Sequence, residues 1–75
     1  MDNEIKKVFL KKFGIRLREL RSEKNFSQER LANELGIEVS QISRIERGQI
    51  NTSIAVLYNI SKVLEVNISN FFEFE

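Results

Sequence analysis

Residues 28–47 read QERLANELGIEVSQISRIER, and the spacing of their apolar side chains decides the fold. Leu31 and Leu35 stand one helical turn apart, so both face inward. Ala32 beside them is small enough for another helix to approach closely. Gly36 suits a turn with positive φ, and Ile37 plugs that turn. Ile42 and Ile45, three residues apart, are then the buried seam of a second short helix. Only Gly36, Ile37 and Glu38 connect the two segments. So short a connection forbids antiparallel packing, and the helices must cross at a steep angle, as in a helix-turn-helix.

Burying Ile42 and Ile45 leaves Val39, Ser40, Ser43, Arg44 and Arg47 on the opposite face of the second helix. A protruding helix about 12 Å across fits the major groove of B-DNA, where side chains reach base edges. Ser27 and Gln28 begin the first of the two helices, where free N–H groups and the positive dipole end suit a phosphate. Gln41 and Arg47 are placed to grip the backbone on either side. Such contacts position a protein and specify nothing by themselves. The residues alone leave a second reading open, in which Arg44 and Arg47 are solvated surface charges and Gln28 is a mere first-turn residue.

Working outward, Ile5, Phe9, Phe13, Leu17 and Leu20 recur at helical spacing and place a first helix over about Glu4 to Lys24, with these five along one inward face. Gly14 weakens that helix by about 1 kcal/mol relative to Ala and marks a bend or a fresh start. Asn25 tolerates the left-handed exit. The third helix is expected over Val39 to Arg47, stopping at Gly48. Thr52 or Ser53 caps a fourth, which runs to about Leu64 with Ile54, Leu57, Ile60 and Leu64 as its core stripe. Val56, Tyr58 and Val63 widen that stripe beyond one buried face, as core beneath the first helix or as cover for a partner. A last turn or two starts at Ser69 and ends in Phe71, Phe72 and Phe74. There is no proline, and no segment alternates apolar and polar for long. The expected class is therefore all-α, a compact five-helix single domain over residues 1–75, in which residues 1–13 extend the first helix.

Composition narrows the function. The chain has no cysteine and no histidine, which removes disulfides and the usual zinc ligands, and leaves self-association as support for a small core. General acid–base catalysis would have to rest on exposed carboxylates, so an enzyme is not expected. No cofactor and no small-molecule ligand are expected. No apolar run approaches the ~18 residues of a membrane span, and the expected location is cytoplasmic. The net charge is only +1, yet it is polarised. Residues 1–50 hold eleven Lys and Arg against eight acids, whereas residues 51–75 hold Lys62 against Glu65, Glu73 and Glu75. Lys6, Lys7, Lys11 and Lys12 are either a solvated helix face or part of a nucleic-acid footprint.

The chain resembles the Cro/repressor-like (XRE-type, lambda-repressor-like) helix-turn-helix family from about Gly14 to Phe72. The matching segments are IRLRELRSEKNFSQERLANELG, VSQISRIERG, SIAVLYNISKVLEV and ISNFF. The LEVNISNFF ending and the small size resemble the controller proteins of restriction–modification systems. The resemblance implies that Val39, Ser40 and Arg44 read bases; Ser43 on the same exposed face, and Glu38, whose carboxylate can accept from a cytosine amino group, are the further base-contact candidates. It implies an ion pair between Arg21 and Glu46, against the alternative of two independent charges. It further implies a homodimer through Tyr58, Val66, Ile68, Phe71 and Phe72, bound to a palindromic double-stranded operator with recognition helices about 34 Å apart. Two residues depart from the family pattern. Glu38 takes the N-cap position where Ser, Thr or Asp is usual, and Glu65 stands where glycine usually follows the fourth helix. The expected function is a transcriptional regulator. With little room for a sensing domain in 75 residues, autoregulation through its own concentration is expected. The rival is a protein-interaction module, such as an antitoxin or adaptor, that keeps the fold.

Overall fold

The computed structural model describes residues 2–75. In chain order they form α1 (Asn3–Glu23), α2 (Gln28–Leu35), α3 (Val39–Glu46), α4 (Ile54–Leu64) and a closing 3-10 turn over Ile68–Phe72. The class is all-α, and the expected fifth helix is that tighter turn, beginning one residue before Ser69.

Each helix starts for a local reason. Asp2 accepts from the Glu4 N–H at 2.7 Å, Ser27 from Arg30 at 3.0 Å, and Ser53 from Val56 at 3.1 Å. Ser53 is thus the cap of α4, whereas the Thr52 hydroxyl is buried without a partner among the described residues. Glu38 precedes α3 with no side-chain cap bond, as its length and chemistry suggest. The four exits share one geometry. Asn25, Gly36, Gly48 and Glu65 all take positive φ, and the next residue donates back across the last turn, from Phe26 to Arg21, Ile37 to Ala32, Gln49 to Arg44 and Val66 to Ser61. This double closure satisfies carbonyls that would otherwise be orphaned. Glu65 does so at a cost of about 1–2 kcal/mol, because its Cβ crowds the following carbonyl.

The core joins Phe13, Leu17 and Leu20 of α1 to Leu31 and Ala32 of α2, Ile42 and Ile45 of α3, Leu57, Ile60 and Leu64 of α4, and Phe71. Three expectations are corrected here. Ile5 is 60% exposed, because it lies a turn beyond the aromatic cover that Phe72 and Phe74 give Phe9, and Phe9 itself is covered on one side only and stays 39% exposed. Ile54 is 81% exposed, since it begins α4 and the buried stripe follows from Leu57. Phe71 is fully buried within one chain, so it belongs to the core and has no surface to offer a second copy.

Gly14 neither bends nor restarts α1, which runs unbroken through it. Its role is close approach. A Cβ at this position would lie 2.4 Å from the Glu46 carbonyl oxygen and 2.6 Å from that of Ile45. The end of α3 rests directly on the α1 backbone.

Candidate nucleic-acid interface

The packing of α2 on α3 is apolar on the inside, through Leu31, Ala32, Ile42 and Ile45. What orients α3 is polar. Arg21 Nε lies 2.6 Å from Glu46 Oε2, and its Nη2 lies 3.0 Å from Oε1. The third edge of the guanidinium donates to the Phe26 carbonyl at 2.7 Å. Gln28 Nε2 completes the carboxylate's shell by donating to Oε1 at 2.9 Å. The two charged side chains are 11% and 3% exposed, so the pair sits in a nearly dry setting with its main hydrogen-bonding capacity used. Hydrogen bonding to Glu46 raises the pKa of Arg21 beyond its ordinary high value, against the opposing effect of burial. A raised cation loses its stabilising effect only as pH climbs through the folded-state value, so Arg21 stays charged wherever duplex DNA persists.

This network changes the reading of Gln28. Its amide is turned inward onto Glu46 rather than outward. What α2 still offers a phosphate is the backbone N–H of Gln28 and Glu29 at its first turn, and the second N–H of the Gln28 amide. Ser27 spends its hydroxyl oxygen as the cap acceptor.

On α3 the burial divides cleanly. Ile42, Ile45 and Glu46 are buried, Gln41 and Ser43 are half-buried, and Glu38, Val39, Ser40, Arg44 and Arg47 are exposed. Ser40, Arg44 and Arg47 fall at i, i+4 and i+7, so they run in one line along the helix. Val39 adds an exposed apolar group at the leading end. Arg47 folds back to donate from Nε to the Ser43 carbonyl at 3.3 Å, which suits a cation at a helix C-terminus and leaves its remaining N–H groups outward. Among the described residues neither Arg44 nor Arg47 makes an ion pair. Apart from that one Arg47 bond, the guanidinium donors of Arg44 and Arg47 have no hydrogen-bond partner among the described residues.

Of the residues assigned elsewhere, Tyr58 is 51% and Phe72 is 45% exposed, while Val66 and Ile68 are half-buried against the core. Ile54, one turn before Tyr58, shares a cleft with Phe9, Ile50 and Phe72. Sequence reasoning missed Gly14 as the seat of α3 and Gln28 as a member of the buried network. A glycine inside a strong helical period is the one local signal for the first.

Comparison with known proteins agrees with this geometry. A family model described as helix-turn-helix matches residues 17–71. An uncharacterized HTH-type transcriptional regulator of Sinorhizobium medicae is 42% identical over 60 residues, covering 80% of this chain and 43% of the relative. The chain thus spans less than half the length of that curated relative. Control protein C.BamHI of Bacillus amyloliquefaciens is 41% identical over 63 residues, covering 83% of this chain and 78% of that protein. Among solved structures, the restriction–modification controller protein C.AhdI of Aeromonas hydrophila superposes with a TM-score of 0.80 at 41% identity, covering 84% of this chain and 96% of the other.

Proposed function

Because this chain belongs to the helix-turn-helix family of transcriptional regulators, we propose that it binds an inverted-repeat DNA operator as a homodimer and regulates transcription by position. The observation that carries this reading is the divided α3, sealed on one side by the Arg21–Glu46–Gln28 network and open on the other at Val39, Ser40, Arg44 and Arg47. Arg44 is suited to a bidentate contact with guanine, Val39 to a thymine methyl, and Ser40 and Ser43 to either partner of a base pair. Glu38 is suited to a cytosine amino group. Gln41, Arg47 and the first turn of α2 grip phosphates and set the register.

The dimer surface in this reading centres on Ile54, Tyr58 and Phe72, flanked by Val66 and Ile68. Three large exposed apolar side chains in one region are more than scattered surface residues explain. Operator occupancy by a dimer rises with the square of monomer concentration at low levels, which suits a regulator acting on its own promoter. Similarity to the controller proteins supports that role.

Selecting bound sequences from a random duplex pool tests the whole proposal. The expected result is a symmetric consensus with half-sites one helical turn apart. An unsymmetric motif would remove the dimer, and no enrichment would remove the function. Ile54→Asp tests the surface separately. Ile54 is too exposed for its loss to unfold one chain, so a folded monomer with weakened operator binding is expected by sedimentation. A dimer that survives Ile54→Asp together with Phe72→Asp places the interface elsewhere.

A further inference from the structure

The first three turns of α1 lie outside the part matched by the family, yet they are firmly held. Phe9 meets Phe72 and Phe74 with ring centroids 6.3 and 5.7 Å apart, and Phe13 meets Phe71 and Phe72 at 6.1 and 5.7 Å. Lys12, on this same side, donates to the Glu75 carbonyl. The opposite side of the extension is different. There Asn3, Lys6, Lys7 and Lys11 face Arg47, Gly48 and Gln49 across an open groove that Val8 and Leu10 also line. The turn after α3 touches the helix directly, for a Cβ on Gly48 would sit 2.8 Å from the Lys11 Cα.

We propose that this groove is a second DNA-contact surface, which lays the N-terminal extension of α1 along the phosphate backbone flanking the bases read by α3. The inference rests on the proposed operator binding and extends its footprint. Four cations line the groove against one carboxylate, Glu4. Among the described residues none of the four makes an ion pair, whereas the chain's own C-terminal acid Glu73 bonds Arg16 on the other side. Lys7 and Lys11 stand one turn apart on a helix held by aromatic packing, so a repeating row of anions meets charges already in place. Arg47 ties the groove to the reading face, being three residues beyond Arg44 on the same exposed line. A phosphate backbone that passes Arg47 continues past Lys11. The contact is one of position and affinity, indifferent to sequence.

The test compares Lys7→Gln/Lys11→Gln with an equal charge loss outside the groove, Lys12→Gln/Lys24→Gln, by the salt dependence of binding to a selected operator duplex and to an unrelated duplex. Each phosphate contact contributes about 0.9 to the slope of log affinity against log salt. The groove variant is expected to lose about 2 from that slope and on the order of tenfold or more in affinity near 0.1 M salt, equally for both duplexes. Its melting temperature should match the wild type, since both lysines are exposed. The control pair should keep the wild-type slope. A groove variant with the wild-type slope overturns the inference and turns the surface toward an acidic protein partner. Equal losses in both variants overturn it too, as an effect of net charge. A wild-type chain with no salt-dependent duplex binding sinks the operator reading itself, so the two failures are told apart.

Discussion

The two sides of α3 are built on opposite terms. The inner side is saturated, with the Glu46 carboxylate held by three donors from Arg21 and Gln28, and the backbone at Ile45 and Glu46 seated on Gly14. The outer side leaves Ser40, Arg44 and Arg47 in a row with no ion pair among the described residues. The nine residues 39–47 therefore carry both the stability of the motif and its function, divided by helical phase. Substitutions on the inner side should act on folding and those on the outer side on binding, with little crossing between them.

The largest effect expected is on the inner side. Arg21→Ala strands a nearly dry Glu46 carboxylate and should cost about 3–5 kcal/mol, read as a fall in the denaturant midpoint. Replacing both partners, as in Arg21→Met/Glu46→Leu, should recover much of that loss. An unchanged midpoint in Arg21→Ala would dissolve the contrast between the sides. Gly14→Ala is the sharper probe, because helix propensity alone predicts a gain of about 1 kcal/mol. Contact with α3 predicts instead a loss of about 1–3 kcal/mol as the two helices are forced apart. The sign of the change decides.

On the outer side, Arg44→Ala should leave the midpoint within about 0.5 kcal/mol of the wild type. It should relax preference at one symmetric pair of operator positions, by about 1–3 kcal/mol each, in a repeat of the pool selection. Uniform weakening across all sequences would make Arg44 a phosphate contact. The smallest effect lies away from both sides. Glu65→Gly removes the left-handed strain after α4 and should stabilise by about 1 kcal/mol in thermal melts, with DNA binding unchanged.

Much of this is legible in the sequence. The seams Leu31 and Ala32, Ile42 and Ile45, the Ser27 cap and the exits at Asn25, Gly36 and Gly48 all follow from local chemistry and helical period. What stayed hidden depends on neighbours distant in sequence. Periodicity put Ile5 and Phe9 on one face with Phe13, but it cannot say where the covering elements end. Phe71 and Phe72 are adjacent in a tight turn, where each residue swings about 120° from the last, and Phe74 follows just beyond it, so near neighbours in sequence meet different surroundings. One is core and the others clasp Phe9. Local chemistry sets Gln28 at the helix start, yet its inward turn depends on Glu46 eighteen residues away. The ion pair is implied by family resemblance alone, since nothing local in sequence brings Arg21 within 2.6 Å of Glu46.

The most direct test of the account is the pattern of backbone amide shifts when an isotope-labelled chain is titrated with its selected duplex. The account predicts the strongest changes at Gln28 and Glu29 and along Val39–Arg47, with Ile54, Tyr58 and Phe72 little affected by DNA itself. Shifts gathered on that second surface while α3 stays silent would contradict it.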